Sequence, residues 1–352
     1  MERIHIAFFG PTNSGKSTLV NALCRQEVSL VSPQPGTTTD PVRKAIELPY
    51  GIGPAVLVDT AGIDDASVLG PERKRRTEAV IGQTDVAVVL QAKDAAMKSL
   101  LETLREAGIP SVVYEKEDTP DGLLQRIARA LPREEKRFLT GNLVKPGDKV
   151  VLVMPQDSEA PKGRIILPQV QVIRELLDRG CIPCCCTPET LRKALECSPA
   201  LVITDSQVFR QVNAAIPADL PLTSFSILLA AQKGDVRTFV EGAGAIDKLQ
   251  PGDRVLIAEA CTHVPDTEDI GRVKIPALLR KRADVRVEIA AGNDFPDDLT
   301  PYALIIHCGA CVANKSLVRF RTGKALLAGV PITNYGIALA KLQGMLDRVR
   351  IP

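Results

Sequence analysis

Two short groups of soft donor residues stand out in this 352-residue chain. Cys261-Thr262-His263 is followed, 43 residues later, by His307-Cys308-Gly309-Ala310-Cys311. Three thiols with imidazoles beside them suit an iron–sulfur cluster or a zinc ion. Each group closes an apolar run, Val255–Ala258 or Ala303–Ile306, that reads as a strand. The ends of parallel strands are where sites converge in open sheets. The chain has only three His, and two of them flank these cysteines. The third, His5, falls mid-strand, where a structural role is expected. A further run, Cys181-Ile182-Pro183-Cys184-Cys185-Cys186, imitates a metal site. Adjacent strand residues face opposite ways and buried thiols behave as small hydrophobes, so this run is expected to be structural core.

The other end of the chain carries phosphate chemistry. Gly10-Pro11-Thr12-Asn13-Ser14-Gly15-Lys16-Ser17 follows a strand-like run, residues 3–9, and precedes a helical run that begins at Thr18. This is G-x-x-x-x-G-K-S in its strand–loop–helix setting. Backbone N–H groups of such a loop wrap a phosphate at a helix N-terminus. Lys16 would reach the β and γ phosphates of a nucleotide, and the Ser17 hydroxyl would hold Mg²⁺. Val56–Val58 then delivers Asp59-Thr60-Ala61-Gly62: a carboxylate for the Mg²⁺ and, at Gly62, an N–H for the γ phosphate. Between them, Gly36-Thr37-Thr38-Thr39-Asp40 offers Thr38, whose hydroxyl would join the Mg²⁺ only with a γ phosphate present, making a switch.

Composition narrows the remaining classes. The chain is 45% apolar and 24% charged, with a mean hydropathy of +0.05 and a net charge of +2. Two or three domains are expected at this length, with no global attraction to nucleic acid or membrane. Aromatics make up 3% and Trp is absent, so base-stacking platforms are not expected. No apolar run reaches the ~18–20 residues of a membrane span. Met1 leads straight into a strand-like run, so no secretory signal is expected, and nine Cys are expected as thiols in a cytoplasmic protein.

The elements that must position these groups form an α/β chain of three domains. Residues 1–137 read as a truncated Ras-like P-loop domain. Residues 138–220 read as a small parallel-sheet domain suited to dimerisation, with strands at 149–154, 181–187 and 200–204 and helices at 170–178, 189–196 and 206–213. Residues 221–352 read as an α/β cluster-binding domain, with strands at 254–259, 284–289 and 302–306.

The motifs of the first domain resemble the translation-factor-like GTPases of the TrmE/Era group. The resemblance implies binding of GTP and Mg²⁺ through Gly10, Asn13, Ser14, Gly15, Lys16, Ser17, Thr18, Thr38, Asp59, Gly62 and Asp118. It implies K⁺ at Asn13, and catalysis carried by Lys16, Thr38 and Asp65, with Asp64 as second choice for placing the water. The family's Asn-Lys-x-Asp is altered here: Val112-Val113-Tyr114 is followed by Glu115-Lys116-Glu117-Asp118, with Glu115 at the Asn, and the resemblance implies that Asp118 accepts from the guanine N1 and N2 hydrogens. Alternatively, residues 111–118 are the domain's last strand and the base-reading segment has been deleted; either way, set against the family, roughly one βα unit is missing.

Taken whole, the chain resembles the FeFe-hydrogenase maturation GTPases. The resemblance includes residues 155–171, 222–227, Cys261-Thr262-His263 with 267–272, His307–Cys311 and Thr333-Asn334-Tyr335-Gly336. It implies a homodimer whose Cys261, Cys308 and Cys311 ligate a 4Fe-4S cluster, with His263 or His307 near the exchangeable iron. It also implies a scaffold that receives a di-iron precursor through radical-SAM maturases and delivers it to the apo FeFe-hydrogenase. Two other readings stay open at this point: a zinc-bearing regulatory GTPase of RNA or ribosome maturation, and a cluster carrier with a decayed nucleotide site.

Overall fold

The computed structural model describes residues 3–24, 41–62, 77, 79–91, 93, 95–131, 138–156, 163–260, 269–292, 294–311 and 313–352. It divides into two units: Met1–Glu135 with Asn314–Phe320, and Lys136–Ala313 with Arg321–Pro352.

In the first unit, strands β1 (Ile4–Phe9), β2 (Val42–Leu48), β3 (Gly53–Asp59), β4 (Val86–Leu90) and β5 (Ser111–Tyr114) form one sheet in the order β2-β3-β1-β4-β5. β2 runs antiparallel to β3 and the other pairs are parallel. β4 is buried at every position because helices cover both faces of the sheet. One face packs Phe8, Leu57 and Val88 against helices α1 (Lys16–Cys24) and α3 (Pro120–Ala130) through Val20, Leu123 and Ile127. The other packs Ala7, Phe9 and Val89 against α2 (Ala95–Glu106) through Met97 and Leu104. α3 begins where Thr119 accepts the Gly122 N–H at 3.1 Å and Pro120 supplies a preset φ. β5 pairs directly with β4, and among the described residues no sixth strand joins the sheet.

The second unit holds two four-stranded parallel sheets. β6 (Lys149–Val153), β7 (Ile182–Cys186), β8 (Leu201–Thr204) and β9 (Leu222–Ser224) lie in the order β7-β6-β8-β9. β10 (Arg254–Glu259), β11 (Arg286–Ala291), β12 (Leu304–His307) and β13 (Ile332–Asn334) lie in the order β11-β10-β12-β13. The order is the same in both. The described helices of this unit are α4 (Leu167–Asp178), α5 (Leu191–Ala194), α6 (Phe209–Ala215), α7 (Phe225–Lys233), α8 (Val236–Ala243), α9 (Ile275–Arg282), most of α10 (Lys315–Leu327) and α11 (Tyr335–Leu342). β9 and β13 are too short to register as period-two runs and escape the sequence reading. β9 carries the first sheet past residue 220. α7 packs Phe225, Leu228 and Leu229 into that sheet's core with Val150, Leu152 and Leu176.

Both sheets start from one turn. Lys145 N donates to Asp148 Oδ2 at 2.9 Å ahead of β6, and Gln250 N donates to Asp253 Oδ2 at 2.8 Å ahead of β10. Gly147 and Gly252 hold φ of 86° and 90° there, which only glycine adopts without strain.

The cysteine run of β7 departs from the expectation of a structural core. Among the described residues β7 is an edge strand, with a neighbouring strand on one flank only. Only Cys181 is buried; Cys184 and Cys186 are half-buried and Cys185 is exposed. Burial holds the Cys186 thiol up at about 11, with Cys185 and Cys184 adding to the rise.

Candidate nucleotide and metal sites

The loop between β1 and α1 turns on two left-handed residues, Asn13 at φ 59° and Gly15 at φ 92°. Lys16 is buried, and its ammonium donates to Gly10 O at 3.0 Å and Pro11 O at 2.7 Å. Ser17 Oγ donates to Asp59 Oδ2 at 2.6 Å, so β3 and α1 bring together the two residues expected at Mg²⁺. Asp59 is fully buried, and its Oδ1 has no hydrogen-bond partner. An unpaired buried carboxylate oxygen is costly, and a cation beside Ser17 is what this donor pair fits. Ser14 Oγ is likewise buried without a partner, facing the loop it belongs to. Gly62 presses on the loop: a Cβ there would lie 2.7 Å from Thr12 N and 2.8 Å from Thr12 Cα. The Asp59–Gly62 segment and the phosphate loop are therefore in backbone contact.

Asp118 is held by its own turn. Glu115 N donates to Asp118 Oδ2 at 2.8 Å, and Arg126 reaches the same carboxylate from α3. The Glu115 N–H, then Arg126, hold its pKa below the usual carboxylate range. One of the two carboxylate oxygens expected to read guanine, Oδ2, is thus shared with Arg126, a competitor on α3 that the sequence reading missed. Thr38, Asp64 and Asp65 lie outside the described residues.

At the other site, Cys308 directly follows β12. Cys308 N donates to Ala258 O at 2.9 Å, tying the turn to β10. Cys308 Sγ accepts from Ala260 N at 3.0 Å and from Ala310 N at 3.4 Å. Two backbone N–H groups on one sulfur stabilise its anionic form. Cys311 is exposed. Between the two cysteines, Ala310 adopts φ 50°, a left-handed strain of about 1 kcal/mol. Lys233, the last residue of α7 and 3% exposed, holds that loop. Its ammonium donates to Ala310 O at 2.5 Å, Ala313 O at 2.8 Å and Cys311 O at 3.3 Å. No sequence motif announced this lysine, which stands two residues past the apolar run Ile227–Ala231.

Cys261 and His263 lie outside the described residues. Ala260, the residue before Cys261, is at the Cys308 sulfur. Among the described residues no group of three or more His, Cys, Asp and Glu is placed to hold a metal. The donors present, two thiols on one turn with N–H support, fit a soft metal centre that takes its further ligands from elsewhere.

His307 departs from the expectation of a ligand. It is buried, with Nδ1 at 2.8 Å from Cys308 O and Nε2 at 3.2 Å from Arg321 Nη1. Burial, then the Arg321 charge, lower its pKa to about 3, so it is neutral. Nδ1–H donates to the carbonyl and Nε2 accepts from Arg321. Both nitrogens are engaged, and the ring positions Cys308 and Arg321. Arg321 is almost fully buried, donating also to Glu259 O at 3.0 Å and to Gly292 O, with its guanidinium 4.9 Å from the Phe295 ring. Glu259, buried at the end of β10, takes a two-pronged contact from Arg272 at 2.7 and 3.1 Å. His5, by contrast, sits mid-strand as expected, but its Nδ1 is buried without a partner.

Three family models match the chain. The hydrogen maturase F dimerization domain matches residues 139–234, and the hydrogen maturase F tetramerization domain matches residues 237–352. The chain belongs to the hydrogen maturase F family. A third family model, 50S ribosome-binding GTPase, matches residues 5–116, so the front of this maturase is a P-loop GTPase domain of the kind that uses GTP with Mg²⁺. Similar curated proteins include the tRNA modification GTPase MnmE of Rhodopseudomonas palustris (strain HaA2), 42% identical over 91 residues, 26% of this chain and 19% of that one. The human mitochondrial 5-taurinomethyluridine-[tRNA] synthase subunit GTPB3 is 42% identical over 100 residues, 27% and 20% of the two chains. The maturase chain therefore spans about a fifth of these relatives. The solved Aquifex aeolicus Era bound to GDP and AlF4⁻ overlays 90% of this chain and 99% of its own at 14% identity and a TM-score of 0.29. Among the described residues no helix is long and apolar enough to cross a membrane.

Proposed function

We propose that this maturase is a scaffold for FeFe-hydrogenase assembly: it holds a 4Fe-4S cluster on Cys261, Cys308 and Cys311 and hands a di-iron precursor to the apo-hydrogenase. The observation that carries the reading is the Cys308 sulfur, which accepts two backbone N–H groups, one of them from the residue before Cys261. A three-thiolate cluster leaves one iron open, and that open position is what accepts and releases a cargo. His307 orients the Cys308 turn and holds Arg321, so we leave it out of the ligand set; His263 stays a candidate beside the open iron. Lys233 and Arg321 put two buried cations near the thiolates, offsetting the charge they gather.

In the first unit, Lys16 turns from the loop carbonyls to the β and γ phosphates. Ser17 and Asp59 hold Mg²⁺, and the N–H groups from Asn13 to Thr18 and at Gly62 receive phosphate oxygens. Thr38 joins the metal and Asp65 places the water, with K⁺ at Asn13. Turnover is slow, and base selection through Asp118 is weakened by Arg126. We divide the chain into a GTPase part, residues 1–137, an oligomerising part from residue 138 to the end of α7, and a cluster-binding part beyond it. We place the boundary after Lys233, later than residue 220, because β9 and α7 complete the first parallel sheet. Radical-SAM maturases supply the cargo, the protein works as a homo-oligomer, and its thiols point to the reducing cytoplasm.

The test is anaerobic reconstitution with ferrous iron and sulfide, followed by metal and sulfide analysis and EPR of wild type and Cys308→Ser. About four iron and matching sulfide per chain, with the reduced-cluster signal altered in the variant, are expected. Colourless protein holding one zinc ion refutes the reading.

A further inference from the structure

The two parallel sheets of the second unit share more than strand order. Pro221-Leu222-Thr223-Ser224-Phe225-Ser226-Ile227-Leu228-Leu229-Ala230 lines up without gaps on Pro331-Ile332-Thr333-Asn334-Tyr335-Gly336-Ile337-Ala338-Leu339-Ala340. The opening turns match bond for bond, as described above. Val202 N donates to Pro221 O at 2.9 Å, and Ile305 N donates to Pro331 O at 2.9 Å. Thr204 pairs with Ser224 in one sheet, and His307 with Asn334 in the other. The two sheets are therefore copies of one module, with Asp205 standing where Cys308 stands and Phe225 where Tyr335 stands.

That equivalence isolates what the cysteine-bearing copy adds. Phe225 is 1% exposed and wholly apolar in its core, so the position needs only a ring. Tyr335 adds a hydroxyl that is buried and has no hydrogen-bond partner. The fold makes room for it: a Cβ on Gly271 would lie 2.0 Å from Tyr335 Oη. Tyr335 follows β13 as Cys308 follows β12, one step beyond the His307–Asn334 pair at the same sheet end. Tyr335 stands within electrostatic reach of Cys308, Glu259 and Asp269, and its neutral hydroxyl has a proton to donate to a sulfur. A buried donor left unpaired costs about 1–3 kcal/mol, and such a cost is expected at functional positions.

We propose that the Tyr335 hydroxyl is a hydrogen-bond donor to the sulfur-bearing group held at Cys308 and Cys311, either a ligand thiolate or a cluster sulfide. This rests on the cluster reading above. Donors to cluster sulfurs favour the more reduced, more negative form, so Tyr335 holds the group in place and sets its potential.

The test compares full-length wild type and Tyr335→Phe, each free of metal and each reconstituted anaerobically with ferrous iron and sulfide. Without metal, the variant is expected to melt at or above the wild-type temperature, because the hydroxyl it lacks had no partner. Once reconstituted, it is expected to lose iron to a chelator about three- to tenfold faster, the size of one hydrogen bond, and to show a more negative reduction potential. A metal-free variant that melts well below wild type, or a reconstituted variant with unchanged iron loss and potential, overturns the proposal. If wild type itself takes up no iron and sulfide, the cluster reading falls and this proposal falls with it.

Discussion

Replacing Lys233 by Met tests whether one buried ammonium organises the Cys308–Cys311 turn. The side chain keeps its length and loses three charged donors. A hydrogen bond from a charged donor is worth about 1.5–3 kcal/mol. The bonds to Ala310 O and Ala313 O, at 2.5 and 2.8 Å, are strong and the 3.3 Å bond to Cys311 O is weak. Ala310 O retains the Ala313 N–H at 3.1 Å, so it is not orphaned. Against the loss stands the several kcal/mol that burying an ammonium costs, which the thioether does not incur. The balance is a net destabilisation of about 2–4 kcal/mol. For a unit of this size that lowers the melting temperature by about 5–15 °C. The turn should loosen more than the sheet. Half-buried Cys308 should then react with iodoacetamide at a rate approaching that of exposed Cys311, followed by peptide mass spectrometry on metal-free protein. A melting temperature within 2 °C of wild type (~0.5 kcal/mol), with the Cys308 rate unchanged, would refute the reasoning.

Other perturbations separate the remaining contacts. Ala310→Gly should stabilise the metal-free protein by about 0.5–1 kcal/mol in urea titration, since glycine adopts φ 50° without strain. Gly62→Ala should weaken Mg²⁺–GTP binding at least tenfold in calorimetry, because the new methyl drives Thr12 backbone out of the phosphate loop. Asp59→Asn should abolish the Mg²⁺ dependence of nucleotide affinity while leaving the melting temperature equal or higher, the buried oxygen without a partner no longer being charged. Gly271→Ala should destabilise by about 1–3 kcal/mol, and Tyr335→Phe should restore part of that loss. The restoration is partial because the ring carbon Cζ also stands 2.7 Å from the new methyl. Independence of these two changes in a double-mutant cycle would argue against their contact.

Asp118 and His307 show where reading side chains one at a time fails. Each stands at or just past a strand end, and its chemistry suits the expected role. A partner then engages it: Arg126, eight residues on, shares one oxygen of Asp118, and Arg321, on α10, takes the Nε2 lone pair of His307. Conversely, Lys233 carried no motif and Tyr335 lay in a matched run that gave it no role, because a buried cation and a buried hydroxyl become meaningful only once their neighbours are known. The internal module also stayed hidden. Its strands β9 and β13 are short, and its two copies differ at the site positions, where Asp205 and Phe225 face Cys308 and Tyr335.

By itself the sequence determined what is local. The glycine spacing of the phosphate loop sets backbone dihedrals, the apolar runs set the strands, and the thiols with their close neighbours set the class of metal that can bind. Those depend on residues near in the chain, so they are legible without a fold. Tertiary structure alone decided which polar atoms are already satisfied. It brought Ser17 to Asp59, closed the ring nitrogens of His307, caged Lys233 under the cysteine turn and left the Tyr335 hydroxyl without a partner. Whether a buried group is paired depends on what the fold packs around it, and no spacing along the chain encodes that.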